Sequence, residues 1–141
     1  MKSMARPFTG IICCLFFLVG CSEPNIQWGN DKMNVAFPLD RGAGRGKLAQ
    51  NSPSIVQMKS LVMSLKDTFQ PSLVSFVPLV YFGNKSIEVL FLTNAVVIEC
   101  DDGTGHCSNQ WVATADHAKL LEISDQVKKD LVAIKDLQSS K

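Results

Sequence analysis

Histidine and tyrosine are nearly missing from this chain: its 141 residues include two histidines, His106 and His117, and one tyrosine, Tyr81. Any Ser-His-Asp or Cys-His chemistry would therefore have to use one of those two imidazoles. Neither Gly-x-Ser-x-Gly nor His-Glu-x-x-His occurs. An excess of one charge is also lacking, since 14 Lys and Arg face 13 Asp and Glu, and this removes the strongly basic face that nucleic-acid binding needs. No apolar run reaches the roughly 20 residues required to cross the hydrocarbon of a bilayer. Membrane-spanning proteins, nucleic-acid binders and motif-bearing hydrolases are thus disfavoured. Catalytic, cofactor and metal residues are expected to be none.

What is present is concentrated at the N-terminus. Lys2 and Arg6 precede an apolar core from Gly10 to Val19, and Leu18-Val19-Gly20-Cys21 closes it. A positive start, a short apolar stretch and a small residue before the break form the layout of a secretory signal. Over these residues the chain resembles bacterial lipoproteins, whose lipobox reads Leu, a small or aliphatic residue, Gly or Ala, then Cys. The resemblance covers residues 1–21 only, and no family is recognised for the mature part. It implies cleavage before Cys21, lipidation of that residue and, because Ser22 and not Asp follows, sorting to an outer membrane if the source is Gram-negative. A single acyl chain anchors marginally, whereas two or three hold a protein permanently.

The five cysteines divide accordingly. Cys13 and Cys14 leave with the signal, Cys21 carries lipid, and Cys100 and Cys107 remain. In an oxidising export compartment a close pair flanking Asp-Asp-Gly-Thr-Gly-His is expected to form a disulfide, worth about 2.5 kcal/mol on the chain-entropy estimate.

The organisation read from composition is a signal peptide over 1–20, a lipidated N-terminus and flexible tether over 21–53, and one domain over 54–141. The tether assignment rests on Pro24, Gly29, Pro38, Gly42, Gly44, Gly46 and Pro53. Within it Val35, Phe37 and Leu39 alternate as a short strand would. From Ser54, a candidate cap, Ile55, Val56, Met58, Leu61, Val62, Leu65 and Phe69 recur at helical spacing until Pro71. Runs at Leu73–Phe82 and Ile87–Ile98 read as strands joined by a turn at Gly83-Asn84-Lys85. Pro78 demotes part of the first, and Thr93-Asn94 breaks the second. Gln110 to Thr114 is a return strand. Asp116 to Gln138 is the clearest helix, with Leu120, Ile123, Val127, Leu131, Ile134 and Leu137 on one face and Thr114 or Asp116 as its cap. The expected fold class is α+β: an antiparallel sheet of three to five strands with two amphipathic helices packed on it.

Candidate chemistry is thin. Arg41-Gly42-Ala43-Gly44-Arg45-Gly46-Lys47 suggests a phosphate loop, but Arg41 stands where its first Gly belongs and Leu48 where Ser or Thr belongs. A flexible basic tether is the simpler reading, with contact to anionic headgroups through Arg41, Arg45 and Lys47 as a lesser one. Asp101, Asp102 and His106 miss the spacing of a calcium loop and suit a tight turn. His117, near a helix start, reads as a neutral surface residue. Trp28, seven residues beyond Cys21, suits the headgroup level, and Trp111 suits the core.

The expected function is that of a lipid-anchored cell-envelope accessory protein that binds a protein or envelope component, such as an assembly factor, an exclusion or immunity protein, or an inhibitor. The alternative is a small periplasmic enzyme whose active site assembles in space.

Overall fold

The computed structural model describes residues 24–100 and 109–140. Seven strands form one antiparallel sheet: β1 (Met33–Ala36), β2 (Arg45–Leu48), β3 (Gln70–Pro71), β4 (Val80–Gly83), β5 (Ile87–Phe91), β6 (Ala95–Cys100) and β7 (Asn109–Thr114), in the order β2-β1-β4-β5-β6-β7-β3. Two helices, α1 (Pro53–Ser64) and α2 (His117–Ser139), cover its inner face. The α+β class is as expected. Three to five strands understate the sheet.

The difference lies mainly in residues 26–48. A flexible tether was expected over 21–53, but this stretch forms a hairpin whose strand β1 sits inside the sheet, paired with β2 on one side and β4 on the other. Met33, Val35 and Leu48 are fully or almost fully buried, and each is worth about 2 kcal/mol relative to exposure. Gly44 takes a positive φ of 88° at the entry to β2, and at Gly46 an added Cβ would come within 2.7 Å of Leu131 on α2. The second glycine therefore permits close helix–strand approach, and what resembled linker composition is packing composition. Ile26 and Trp28 pack against the same core, so the domain begins well before residue 54.

The central strands follow from chemistry visible in the sequence. Asn84 turns β4 into β5 by accepting the N–H of Ser86 and Ile87 on its side-chain oxygen, at 2.9 and 3.1 Å, an Asx turn. Leu92 and Ala95 close the next hairpin around Thr93-Asn94. The strand expected over Leu73–Phe82 is confined to β4. Pro78 has no N–H to give a ladder, and residues 72–78 instead form an irregular connection. Ser72 is held to Gln110 on β7 and Leu79 to Phe91 on β5. Between those ties the chain must pass β6, and the inner face is taken by the helices. The connection therefore crosses the outer face, where the cross-strand partners Leu90 and Val97 are buried.

Helix α1 begins at Pro53, with Ser52 at the N-cap position. Ser54, expected as the cap, lies inside the first turn, fully buried. Its N–H and hydroxyl both donate to Asp130 Oδ2 on α2, at 2.9 and 2.6 Å. A carboxylate from the neighbouring helix thus takes the place of a local side-chain cap and complements the positive end of the helix dipole. At α2 the expectation holds: Asp116 accepts the Lys119 N–H at 2.9 Å. Leu120, Ile123, Val127 and Leu131 are buried as the periodicity requires, Ile134 is half-buried, and Leu137, expected on the same face, is 68% exposed.

Candidate functional site

Two polar assemblies stand out, one along the β2 edge and one at the centre of the outer face. Alternation in β2 directs Gly46 and Leu48 inward, leaving Arg45 and Lys47 exposed. The register sets Lys47 opposite Asn34 and Arg45 opposite Ala36. Between this edge and the C-terminal half of α2 lies a groove of about 630 Å³, whose cationic lining residues are Lys32, Arg45, Lys47 and Lys135, over a floor of Leu131 and Ile134. A smaller hollow around the corner adds Lys85 from the β4–β5 turn, with Asp31 as its acidic residue. The salt bridges of the described residues lie elsewhere, within α2, between Lys119 and Glu122 and between Lys128 and Asp125. The edge cations are thus held side by side without ion partners, an arrangement suited to multivalent anions.

The outer face carries a row that runs Gly83, Glu88, Glu99, Gln110 across four strands. Glu88 and Glu99 are directly opposed, and like charges so placed destabilise a sheet. Tyr81 folds over Gly83, where an added Cβ would fall 2.0 Å from the phenol oxygen, and donates its O–H to Glu88 at 3.1 Å. Gln110 donates to Glu99 at 3.1 Å. Burial, with the nearby Glu88 charge next, raises the Glu99 carboxyl above its ordinary pKa of 4.5. Burial and then Glu88 push the Tyr81 phenol up to about 12. These shifts favour the protonated form of the Glu99 carboxyl and a neutral phenol. They do not provide an activated nucleophile.

Of the residues singled out from sequence, Cys21, Asp101, Asp102, His106 and Cys107 lie outside the described residues. Cys100 ends β6, buried, with its thiol pKa raised by desolvation. His117 opens α2, exposed, and its Nδ1 bonds the Thr93 carbonyl, tying the helix start to the β5–β6 turn. Arg41–Ala43 is a 3₁₀ turn capped by Asp40, which accepts the N–H of Gly42 and Ala43. It is neither a phosphate loop nor a tether. Trp28 is docked on the domain: its carbonyl accepts from Asn84 Nδ2 at 2.7 Å and Lys59 stands 5.7 Å over its ring. Its ring packs against the domain's own core. Trp111 is in the core.

No family model, curated protein or solved structure matches the chain. Function has to be argued from the sites alone. Among the described residues no group of three or more His, Cys, Asp or Glu is placed to hold a metal ion, and no helix is long and apolar enough to cross a membrane.

Lys32, Lys85 and Lys135 escaped the sequence reading because they come from three distant segments that only the fold brings beside β2. The carboxylate pair was within reach: a hairpin centred on Thr93-Asn94 sets Glu88 against Glu99 by counting alone.

Proposed function

We propose that this protein is a lipid-anchored accessory component of a bacterial cell envelope, acting by binding and not by catalysis. The observation that carries the reading is the position of Cys21 at the end of its lipobox, five residues before Ile26, the first apolar side chain packed against the core. A lipid on Cys21 would hold a folded domain directly at a bilayer surface. Ser22 supports an outer membrane, periplasm-facing location. Support for a partner comes from the outer-face connection, where Leu73, Val74 and Val77 are 103%, 61% and 68% exposed. Apolar residues grouped in this way mark interaction sites more often than chance exposure.

The decisive measurement is fatty-acid labelling in a bacterial host. Wild type should take up an acyl analogue and fractionate with membranes. The Cys21→Ser variant should lose the label, and retained labelling would rule the anchor out. For the partner, a photo-crosslinking residue at Val77 should give a discrete adduct in cells, abolished by Val74→Asp.

The Cys100–Cys107 bridge belongs to the same exported reading. Native protein should show no titratable thiol until reduced, and a free thiol in protein isolated from the envelope would overturn the pairing. The rival, a small envelope enzyme, rests on the Glu88–Glu99 pair. Glu88→Gln with Glu99→Gln should leave partner crosslinking intact under the binding reading and abolish biological activity under the rival.

A further inference from the structure

We infer that the cationic β2 edge is a membrane-docking face, which lays the domain against anionic phospholipid headgroups with the open sheet edge toward the bilayer. The inference deepens the anchored reading of Cys21 and rests on it for orientation.

Chain length comes first. From Cys21 to the docked Ile26 there are five residues, which span no more than about 17 Å when fully extended. The corner of the domain where Ile26 and Trp28 attach must therefore stay near the headgroups. That corner is defined by Asn84, which donates to the Trp28 carbonyl at 2.7 Å. Asn84 also lines the hollow shared by Lys32, Lys47 and Lys85. The tether thus enters the fold beside the cations.

Charge placement is the second argument. From this corner the positive side chains continue along β2 through Lys47 and Arg45 to Lys135 on α2. β2 is the outermost strand on its side, so the row forms a rim that a flat surface can meet. Among the described residues Asp31 is the one carboxylate lining the corner hollow, where it stands with Lys32, Lys47 and Lys85 and leaves the corner net positive. The outer-face carboxylates lie farther off. Glu88 on β5 is three strands in from β2, about 14 Å at ordinary strand spacing, beyond the screening length of about 8–10 Å. Gly46 contributes sterically: it lets α2 sit tightly against β2, which brings Lys135 level with the edge. Lysine and arginine on an edge strand also deter strand pairing. That role accounts for Arg45 and Lys47, but not for Lys32, Lys85 and Lys135, which are on neighbouring elements.

The test separates this face from the anchor by removing the lipid. Mature protein carrying Cys21→Ser is floated with phosphatidylcholine vesicles and with vesicles containing phosphatidylglycerol. Flotation is expected with the anionic vesicles at low salt, lost at high salt, and absent with phosphatidylcholine alone. Lys47→Glu combined with Lys85→Glu should weaken it about tenfold or more, since each cation near such a surface contributes comparably. Lys66→Glu combined with Lys129→Glu, elsewhere on the domain, should leave it within about twofold. Circular dichroism checks that all variants are folded. Equal loss in both double variants, or binding to soluble polyphosphate without flotation, overturns the docking face. Failure of fatty-acid labelling with flotation intact would remove the anchor and leave the face standing. The reverse result would remove the face and leave the anchor.

Discussion

Asp130 shows how one side chain can serve an element it does not belong to. By accepting from both the N–H and the hydroxyl of Ser54, it caps α1 and pins that helix to α2. Asp130→Ala should cost about 2 kcal/mol in urea unfolding, as expected for losing a cap and two charge-assisted bonds. Asp136→Ala, on the exposed end of the same helix, should change stability by less than about 0.5 kcal/mol. The outer-face carboxylates make an opposite prediction. Because the native Glu99 carboxyl titrates above its ordinary 4.5, the unfolded chain releases that proton first, and wild type loses stability as pH rises through 4.5 and the raised native value. Glu99→Gln should escape this loss, gaining about 0.5 kcal/mol at neutral pH and little in acid. Chemical denaturation across that range checks the sign. Tyr81, the single tyrosine, gives a clean optical signal. Phenolate absorbance of the folded protein should appear at pH about 12 in place of 10, with stability falling as pH rises between the two.

Among the elements, α2 was the most legible in sequence, because its Asp116 cap and the burial of its apolar spacing from Leu120 through Leu131 agree, although Leu137 at its end is exposed. The β4–β5–β6 order was legible from the turns at Gly83-Asn84-Lys85 and Thr93-Asn94, and β6–β7 from the return strand Gln110 to Thr114 after Cys107. The β1–β2 hairpin was not, because its glycines carry two meanings: flexibility when isolated, close packing when a helix lies over them. Gly46 is the case in point, its missing Cβ being where Leu131 fits. The cationic edge was hidden for the same reason, since a segment read as tether offers no face on which to collect charges. A corrected prediction follows for Arg41–Lys47. On the tether reading a neutral Gly/Ser stretch of equal length would be harmless. In the observed fold it removes most of β2, unseats Leu48 and exposes one side of β1. The replacement should lower the unfolding midpoint markedly, by about 2 kcal/mol or more from Leu48 burial alone. An unchanged midpoint would show that β2 contributes little.

At the scale of the whole molecule, the sheet has an inner face committed to packing, an outer face crossed by an apolar connection, and two dissimilar edges. One edge is the basic β2. The other is β3, two residues long and ending in Pro71, and both features blunt strand addition. The protein should accordingly stay monomeric at high concentration in sedimentation, while Lys47→Val combined with Arg45→Val should promote self-association. One consequence concerns force. If the proposed anchor and partner both hold the protein, a pull between them would enter the domain through residues 26–33 and reach β1. Because β1 is hydrogen-bonded to β2 on one flank and β4 on the other, the load divides over two ladders and passes directly to the centre of the sheet. A terminal strand lying on an edge would peel one bond at a time. This one is held on both sides, so the attachment point is also one of the most strongly braced parts of the chain.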